Sequence, residues 1–406
     1  MTESALFPSL RPRQSSGALR LLLTLGDRLG RDWRGPALRI ETPGGETALV
    51  GADTEVVALR IRDYRAVRRT LADGDIGFAE AYVAGEWDTP DLPRLLQALA
   101  GNFDALDRFG FGGALYRLAN RARTLLRRNT ERGARRNIHA HYDLGNDFYA
   151  AWLDPGMTYS AALYAEPRQT LEAAQGAKYA ALARAIDLRP GHSVLEIGCG
   201  WGGFAEFAAR ELGVRVVGLT ISEAQHAYAR ERIARAGLDD RVDIRLCDYR
   251  RAEGQFDRVV SIEMFEAVGQ RWWPTFFQEV RDRLKPGGRA GLQVITIRDD
   301  LFADYRRRVD FIQKHVFPGG MLPSEAALER HARRAGFDWT PPRRFGADYA
   351  RTLADWGARF EAAWPSLRRQ GFDERFRRLW RFYLAYCEAG FAVGRTDVVQ
   401  VALGRP

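Results

Sequence analysis

VLEIGCGWGG, residues Val194–Gly203, decides how this chain folds. An apolar run ends in Glu196 and opens into glycines at 198, 200, 202 and 203. Glycine admits backbone angles closed to other residues and lets a ligand approach the main chain closely. A glycine loop straight after a strand therefore predicts a ligand cradle.

Around it, from about residue 170, strand-like stretches alternate with amphipathic helical ones. The strands are HSVLEIGCG, VRVVGLTIS, VDIRLCD, FDRVVSIEM and RAGLQVITI (Arg289–Ile297). Such alternation predicts an α/β fold with a mostly parallel, doubly wound, Rossmann-like sheet. Ligands bind such sheets beyond the carboxyl ends of the strands, near a switch point. The glycine loop follows the first of these strands. From Leu301 onward, arginine- and aromatic-rich helical stretches predict a cap.

Two ligand classes compete for the loop. A dinucleotide needs G-x-G-x-x-G and, about 20 residues on, an acid that grips the ribose. Gly198, Gly200 and Gly203 fit, but VRVVGLTIS ends in Leu219 and Thr220 with no carboxylate. S-Adenosylmethionine (SAM) goes with an acid inside the strand end and then G-x-G-x-G, here Glu196, Gly198, Gly200 and Gly202. SAM carries an amine and a sulfonium, which a carboxylate suits, and no pyrophosphate for a helix N-terminus to neutralise. CDYR (Cys247–Arg250) puts Asp248 at the end of the third strand, where adenine is commonly held. The sequence favours SAM.

The chain has 406 residues, 46% hydrophobic and 28% charged, enough for two domains or one with an attachment. No apolar run approaches the roughly 20 residues of a membrane span. The short, charge-broken LRLLLTLGDRLG (Leu19–Gly30) does not read as a signal peptide. Cys199, Cys247 and Cys387 fit neither a disulfide framework nor a zinc pattern, read as packing residues and suit a reducing cytoplasm. No metal is expected, because the histidines lack ligand spacing. The net charge of +9 favours an anionic partner, nucleic acid or a membrane leaflet, or only confers solubility.

Upstream, LRIETPGGETALVG and TEVVALRIRD read as strands joined through a Pro-Gly-Gly turn, with helix from Tyr64 through GFAEAYVAGEW (Gly77–Trp87). The expected organisation is an N-terminal α/β unit over 1–115, a basic linker helix over 116–137 and a catalytic domain with helical cap over 138–406. RLANRARTLLRRNTERGARRN (Arg117–Asn137) could lie against a phosphate-rich surface or be a solvated linker.

HYDLGNDFYAAWLDPGMTYSAALY (His141–Tyr164), VLEIGCGWGGFAEFAAR, VVGLTISEAQ, SIEMFEAVG and FGADYARTL strongly resemble the cyclopropane-fatty-acyl-phospholipid synthase family, which includes the mycolic acid cyclopropane synthases. GFAEAYVAGEW resembles its N-terminal lipid-associated domain. The resemblance implies a SAM-dependent methyltransferase fold and methylene transfer to the cis double bond of unsaturated acyl chains in membrane phospholipids. It implies a carbocation that a bound bicarbonate deprotonates to close a cyclopropane. Glu266 of FEAVG resembles the bicarbonate-orienting glutamate and Tyr349 its tyrosine partner, with the backbone amides of Ala161 and Ile295 completing the cradle. Gln293 stands where many members have histidine, and Ala161 where many have cysteine. Glutamine can donate a hydrogen bond but carries no charge. Cofactor contacts carried over fall on Tyr159, Ser160, Gly198, Gly200, Thr220, Gln225 and Asp248.

Bland readings accompany these. Glu266 could form a structural salt bridge, Tyr349 could be a packed aromatic, and His141 reads as a hydrogen-bonded structural residue. FPGGMLPS (Phe317–Ser324) gates an acyl channel or is only a turn. The expected enzyme is cytoplasmic and peripherally associated with the inner membrane, with unsaturated phospholipid acyl chains and an anionic membrane surface as partners. No nucleic-acid partner is expected, and the family implies a homodimer. Methylation to methyl-branched, methylene or furan-precursor chains stays open, as does a non-catalytic lipid-binding protein with a degenerate SAM fold. A nucleic-acid methyltransferase would need an N-P-P-Y-type or cysteine-nucleophile motif, and neither is present.

Overall fold

The computed structural model describes residues 30–108 and 144–406. The basic segment Arg117–Asn137, His141 and all but the last residue of Leu19–Gly30 lie outside the described residues.

The N-terminal unit is built on four strands, β1 (Ala37–Glu41), β2 (Thr47–Val50), β3 (Val56–Ile61) and β4 (Trp87–Asp88), in the order β2-β1-β3-β4. The predicted turn joins β1 to β2, with Gly45 at φ +79°. Strand β2 alternates exposed and buried residues, as a sheet with one covered face must. The covering helix, Arg65–Val83, is broken at Gly74, whose φ is +59°. A second helix, Leu92–Gly101, starts on the Asp91 cap with a proline in its first turn.

The larger sheet holds β5 (Ser193–Ile197), β6 (Arg215–Thr220), β7 (Val242–Leu246), β8 (Phe256–Ile262), β9 (Leu284–Ile297), β10 (Asp338–Trp339), β11 (Arg343–Arg344) and β12 (Thr396–Gly404). Its order is β10-β12-β9-β8-β5-β6-β7, with β11 paired to β12. Strands β5 to β9 run parallel, and the order reverses between β5 and β8. That reversal is the switch point where α/β sheets bind ligands. The last four residues of β5 are buried, as expected of a strand covered on both sides.

One expectation is corrected. The chain beyond Leu301 is not helical throughout, because it ends in β12, antiparallel to β9 over nine residue pairs from Thr396–Ile297 to Gly404–Arg289. Burial drives this. Val398, Val399, Val401 and Leu403 are each no more than 1% exposed, and pairing with β9 satisfies the buried backbone groups.

The predicted cap is a helical pair, Gly346–Arg369 and Glu374–Ala392, the second starting on the Asp373 cap. Trp356, Phe360 and Trp380 on this pair bury against Phe148 and Trp152, with ring centroids 5.0–6.4 Å apart. The pair also ties the two sheets together. Arg378 donates to the carbonyls of Tyr82 at 2.6 Å and Trp87 at 2.9 Å, and Phe382 packs on Tyr82.

Candidate active site

At the carboxyl end of β5 the glycine loop turns sharply. Gly198, Gly200 and Gly202 have φ of +82°, +52° and +82°. A Cβ at Gly198 would stand 2.6 Å from the Met264 side chain, so only glycine fits. The amides of Gly198 and Cys199 both donate to the Leu219 carbonyl, pinning the loop to β6. Gly202 leads into the helix Gly203–Leu212.

Glu196, next to last in β5, is 3% exposed, and its Oε2 is buried without a hydrogen-bond partner. Burial pushes its carboxyl up to about 8, against the opposing charges of Arg232 and Lys178. An orphaned acid at a glycine loop fits the ammonium group of SAM, so the donor set suits that cofactor. Tyr159, Ser160, Thr220, Gln225 and Asp248 line the same cavity. Each is already positioned: Tyr159 by the Tyr383 hydroxyl at 2.7 Å, Ser160 by Lys178 Nζ at 2.6 Å, Thr220 by donating to Gln225 at 2.9 Å. Asp248 is clamped by Arg250 at 2.8 and 2.6 Å.

The residues expected to cradle an anion do converge, but on a side chain. Glu263 follows β8 with φ +49°, a conformation rarely taken by a residue with a side chain. Its Oε1 accepts the Ala161 amide at 2.8 Å and Gln293 Nε2 at 2.7 Å. Its Oε2 accepts the Tyr349 hydroxyl at 2.7 Å. Tyr349 thus donates to Glu263. Glu266 instead accepts the Ile295 amide at 2.5 Å on Oε1, while its Oε2 is buried without a partner. Burial and the Glu263 charge push the Glu266 carboxyl up to about 8. Burial also raises Glu263, but its three donors and the Lys178 charge work the other way. Tyr349 is 6% exposed and packs on Phe391 at 4.4 Å.

The sequence reading missed two members of this group. Glu263 was legible only as a second acid three positions before Glu266. Lys178 sits in an alanine-rich helix that looks solvated, yet it is fully buried, and its ammonium is pushed down to about 7 by that burial.

One cavity of about 840 Å³ joins these parts. It runs from Gly198 past Glu263, Glu266 and Tyr349 to Leu38, Ile40, Leu59 and Phe78 of the N-terminal unit. Near the carboxyls its walls are aromatic, with Tyr159, Trp201, Phe317 and Tyr383 among them. Such rings stabilise a cation while excluding water. Phe317, Pro318, Gly320, Met321 and Leu322 of the FPGGMLPS stretch line the cavity, and the Met321 amide donates to the Glu266 carbonyl. Cys199 is buried, and Cys387 lies in the cavity wall with burial pushing its thiol well up. Among the described residues no cluster could hold a metal, and no helix is long and apolar enough to cross a membrane.

The family profile described as mycolic acid cyclopropane synthetase matches residues 129–401. Tuberculostearic acid methyltransferase UfaA1 of Mycobacterium tuberculosis is 40% identical over 368 residues, 88% of this chain and 86% of that protein. The cyclopropane-fatty-acyl-phospholipid synthase of Escherichia coli is 37% identical over 358 residues, 86% and 87% of the two chains. Mycolic acid cyclopropane synthase CmaA1, solved with SAH and CTAB, superposes with a TM-score of 0.63 at 31% identity, covering 66% of this chain and 98% of that one.

Proposed function

From the premise that this chain belongs to the mycolic acid cyclopropane synthetase family, a SAM-dependent methyltransferase family of Rossmann-like fold, we propose that it modifies the cis double bond of unsaturated acyl chains in membrane phospholipids. Closure to a cyclopropane is the favoured outcome. The observation that carries this reading is the single cavity linking the glycine loop, the buried carboxyls and an apolar channel through the N-terminal unit. A channel of this size and lining suits a lipid tail. When bound, SAM supplies an electrophilic methyl group. Glu196 and the glycine loop would hold it, with Tyr159, Ser160, Thr220, Gln225 and Asp248 around it. The aromatic walls keep water from the cationic acyl chain that results.

The channel also supports the assignment of residues 1–115 as a lipid-associated unit. Tyr64 and Leu71 line the cavity yet are 39% and 48% exposed, so they stand at its mouth. Exposed Arg62 and Arg68 lie nearby in sequence. An apolar mouth beside arginines suits docking on an anionic, cytoplasmic membrane face.

A second reading is methylation without ring closure, giving a methylene or methyl-branched chain. The similarity to a tuberculostearic acid methyltransferase favours keeping it. Incubating the protein with SAM and dioleoyl-phosphatidylglycerol vesicles tests both. Gas chromatography of the released acyl chains separates a ring from a branch or a methylene group. No modified chain would overturn the proposal.

A bound bicarbonate does not fit these residues. The donors that would hold it, Ala161, Gln293 and Tyr349, are spent on Glu263.

A further inference from the structure

We propose that Glu263 is the catalytic base of this enzyme, its carboxylate standing where a free anion would otherwise be needed. The inference rests on the methyl-transfer reading above and adds to it the group that takes the proton.

Three carboxyls face the reactive part of the cavity: Glu196, Glu263 and Glu266. Glu196 lies at the glycine loop and belongs to the cofactor. Glu266 has a single amide donor and one orphaned oxygen. Glu263 has three donors at 2.7–2.8 Å, from Ala161, Gln293 and Tyr349. A carboxylate held by several donors stays ionised, and a neighbouring acid is then driven to keep its proton. Within the pair, the three donors favour the charged form of Glu263, while burial and its neighbour's charge favour the protonated form of Glu266. Burial raises the Glu263 carboxyl, which makes it a stronger proton acceptor than an exposed one.

A carboxylate offers about four lone-pair positions. Three hydrogen bonds leave one to accept a proton, on a side chain that lines the cavity. The left-handed backbone at φ +49° is a local cost that serves to aim it there.

The step balances. After the alkene has taken the methyl, a C–H bond of that methyl breaks. Its proton goes to Glu263. The electron pair forms either the third ring bond or, after a hydride shift along the chain, an exocyclic double bond. The ring and the methylene group are thus formed with the same base.

The test combines turnover in carbonate-free buffer with binding of ¹³C-bicarbonate followed by NMR. Wild-type turnover is expected to be indifferent to added bicarbonate. E263Q keeps the size of the side chain but cannot take the proton. It is expected to lose at least about a hundredfold in turnover while binding SAM within about threefold of wild type, the binding also showing that it folds. E263G vacates the donors and suits the positive φ. It is expected to bind ¹³C-bicarbonate, which the wild type does not, and to regain turnover when bicarbonate is added. Wild-type turnover that requires bicarbonate, wild-type binding of bicarbonate equal to that of E263G, or near-normal E263Q turnover in carbonate-free buffer would each overturn the assignment. No lipid product from the wild type under any condition would remove the reaction itself, a failure distinct from these.

Discussion

The hydroxyl of Tyr349 donates to Glu263 at 2.7 Å, across 86 positions of sequence, and Glu266 is left with a backbone amide alone. With the Ala161 and Gln293 donors, this bond separates the two carboxyls. Glu263 is the carboxyl held by donors, and burial favours the protonated form of Glu266.

Y349F removes that donor and little else, since the ring is packed against Phe391. A hydrogen bond to a charged group is worth about 1.5–3 kcal/mol. Turnover is therefore expected to fall about ten- to a hundredfold, with SAM affinity unchanged by calorimetry. Equal losses in turnover and SAM affinity would mean that Tyr349 supports the cofactor site instead.

The Glu266 carboxyl, pushed up to about 8, bears on stability. It is protonated in the folded state and ionised in the unfolded state across the window from its ordinary value near 4.5 to about 8. The folded form then binds the extra proton, so stability falls as pH rises through that window. One such group contributes a slope of up to about 1.4 kcal/mol per pH unit. E266Q is expected to flatten the slope, measured by urea unfolding at several pH values. An unchanged slope would show that other groups set it.

Gly198 combines φ +82° with a close approach to Met264. G198A is expected to cost about 1–3 kcal/mol of stability and to weaken SAM binding, read by denaturant melts and calorimetry. Wild-type values in both would show that the loop has room to spare.

The channel makes a prediction about substrate length. L59W places a large ring where Leu59 of β3 lines the cavity far from the glycine loop. It is expected to lower kcat/KM for long acyl chains by about tenfold and to leave SAM binding alone. A loss of equal size for short and long chains would argue against a tail in this unit.

Much of the fold was legible because its signals are local. Strands β5 to β9 announce themselves by apolar runs, and the loop after β5 by its glycines. β12 was not legible. TDVVQVALG follows a long arginine-rich helical stretch, and its partner β9 lies about a hundred residues earlier. The site divides the same way. Glu196, the glycines and Glu266 sit in motifs that read from left to right. Glu263 acquires its meaning only where Ala161, Gln293 and Tyr349 meet, 30 to 102 positions away. Lys178 looks like any helix-surface lysine until the fold buries it against Ser160.

The most direct test of the central claim is mass spectrometry of phospholipid acyl chains after turnover with SAM carrying a trideuterated methyl group. Label is expected in the acyl chains with two deuteriums kept, because the base takes the third from the methyl itself. Unlabelled lipid, or chains that keep all three deuteriums, would contradict it.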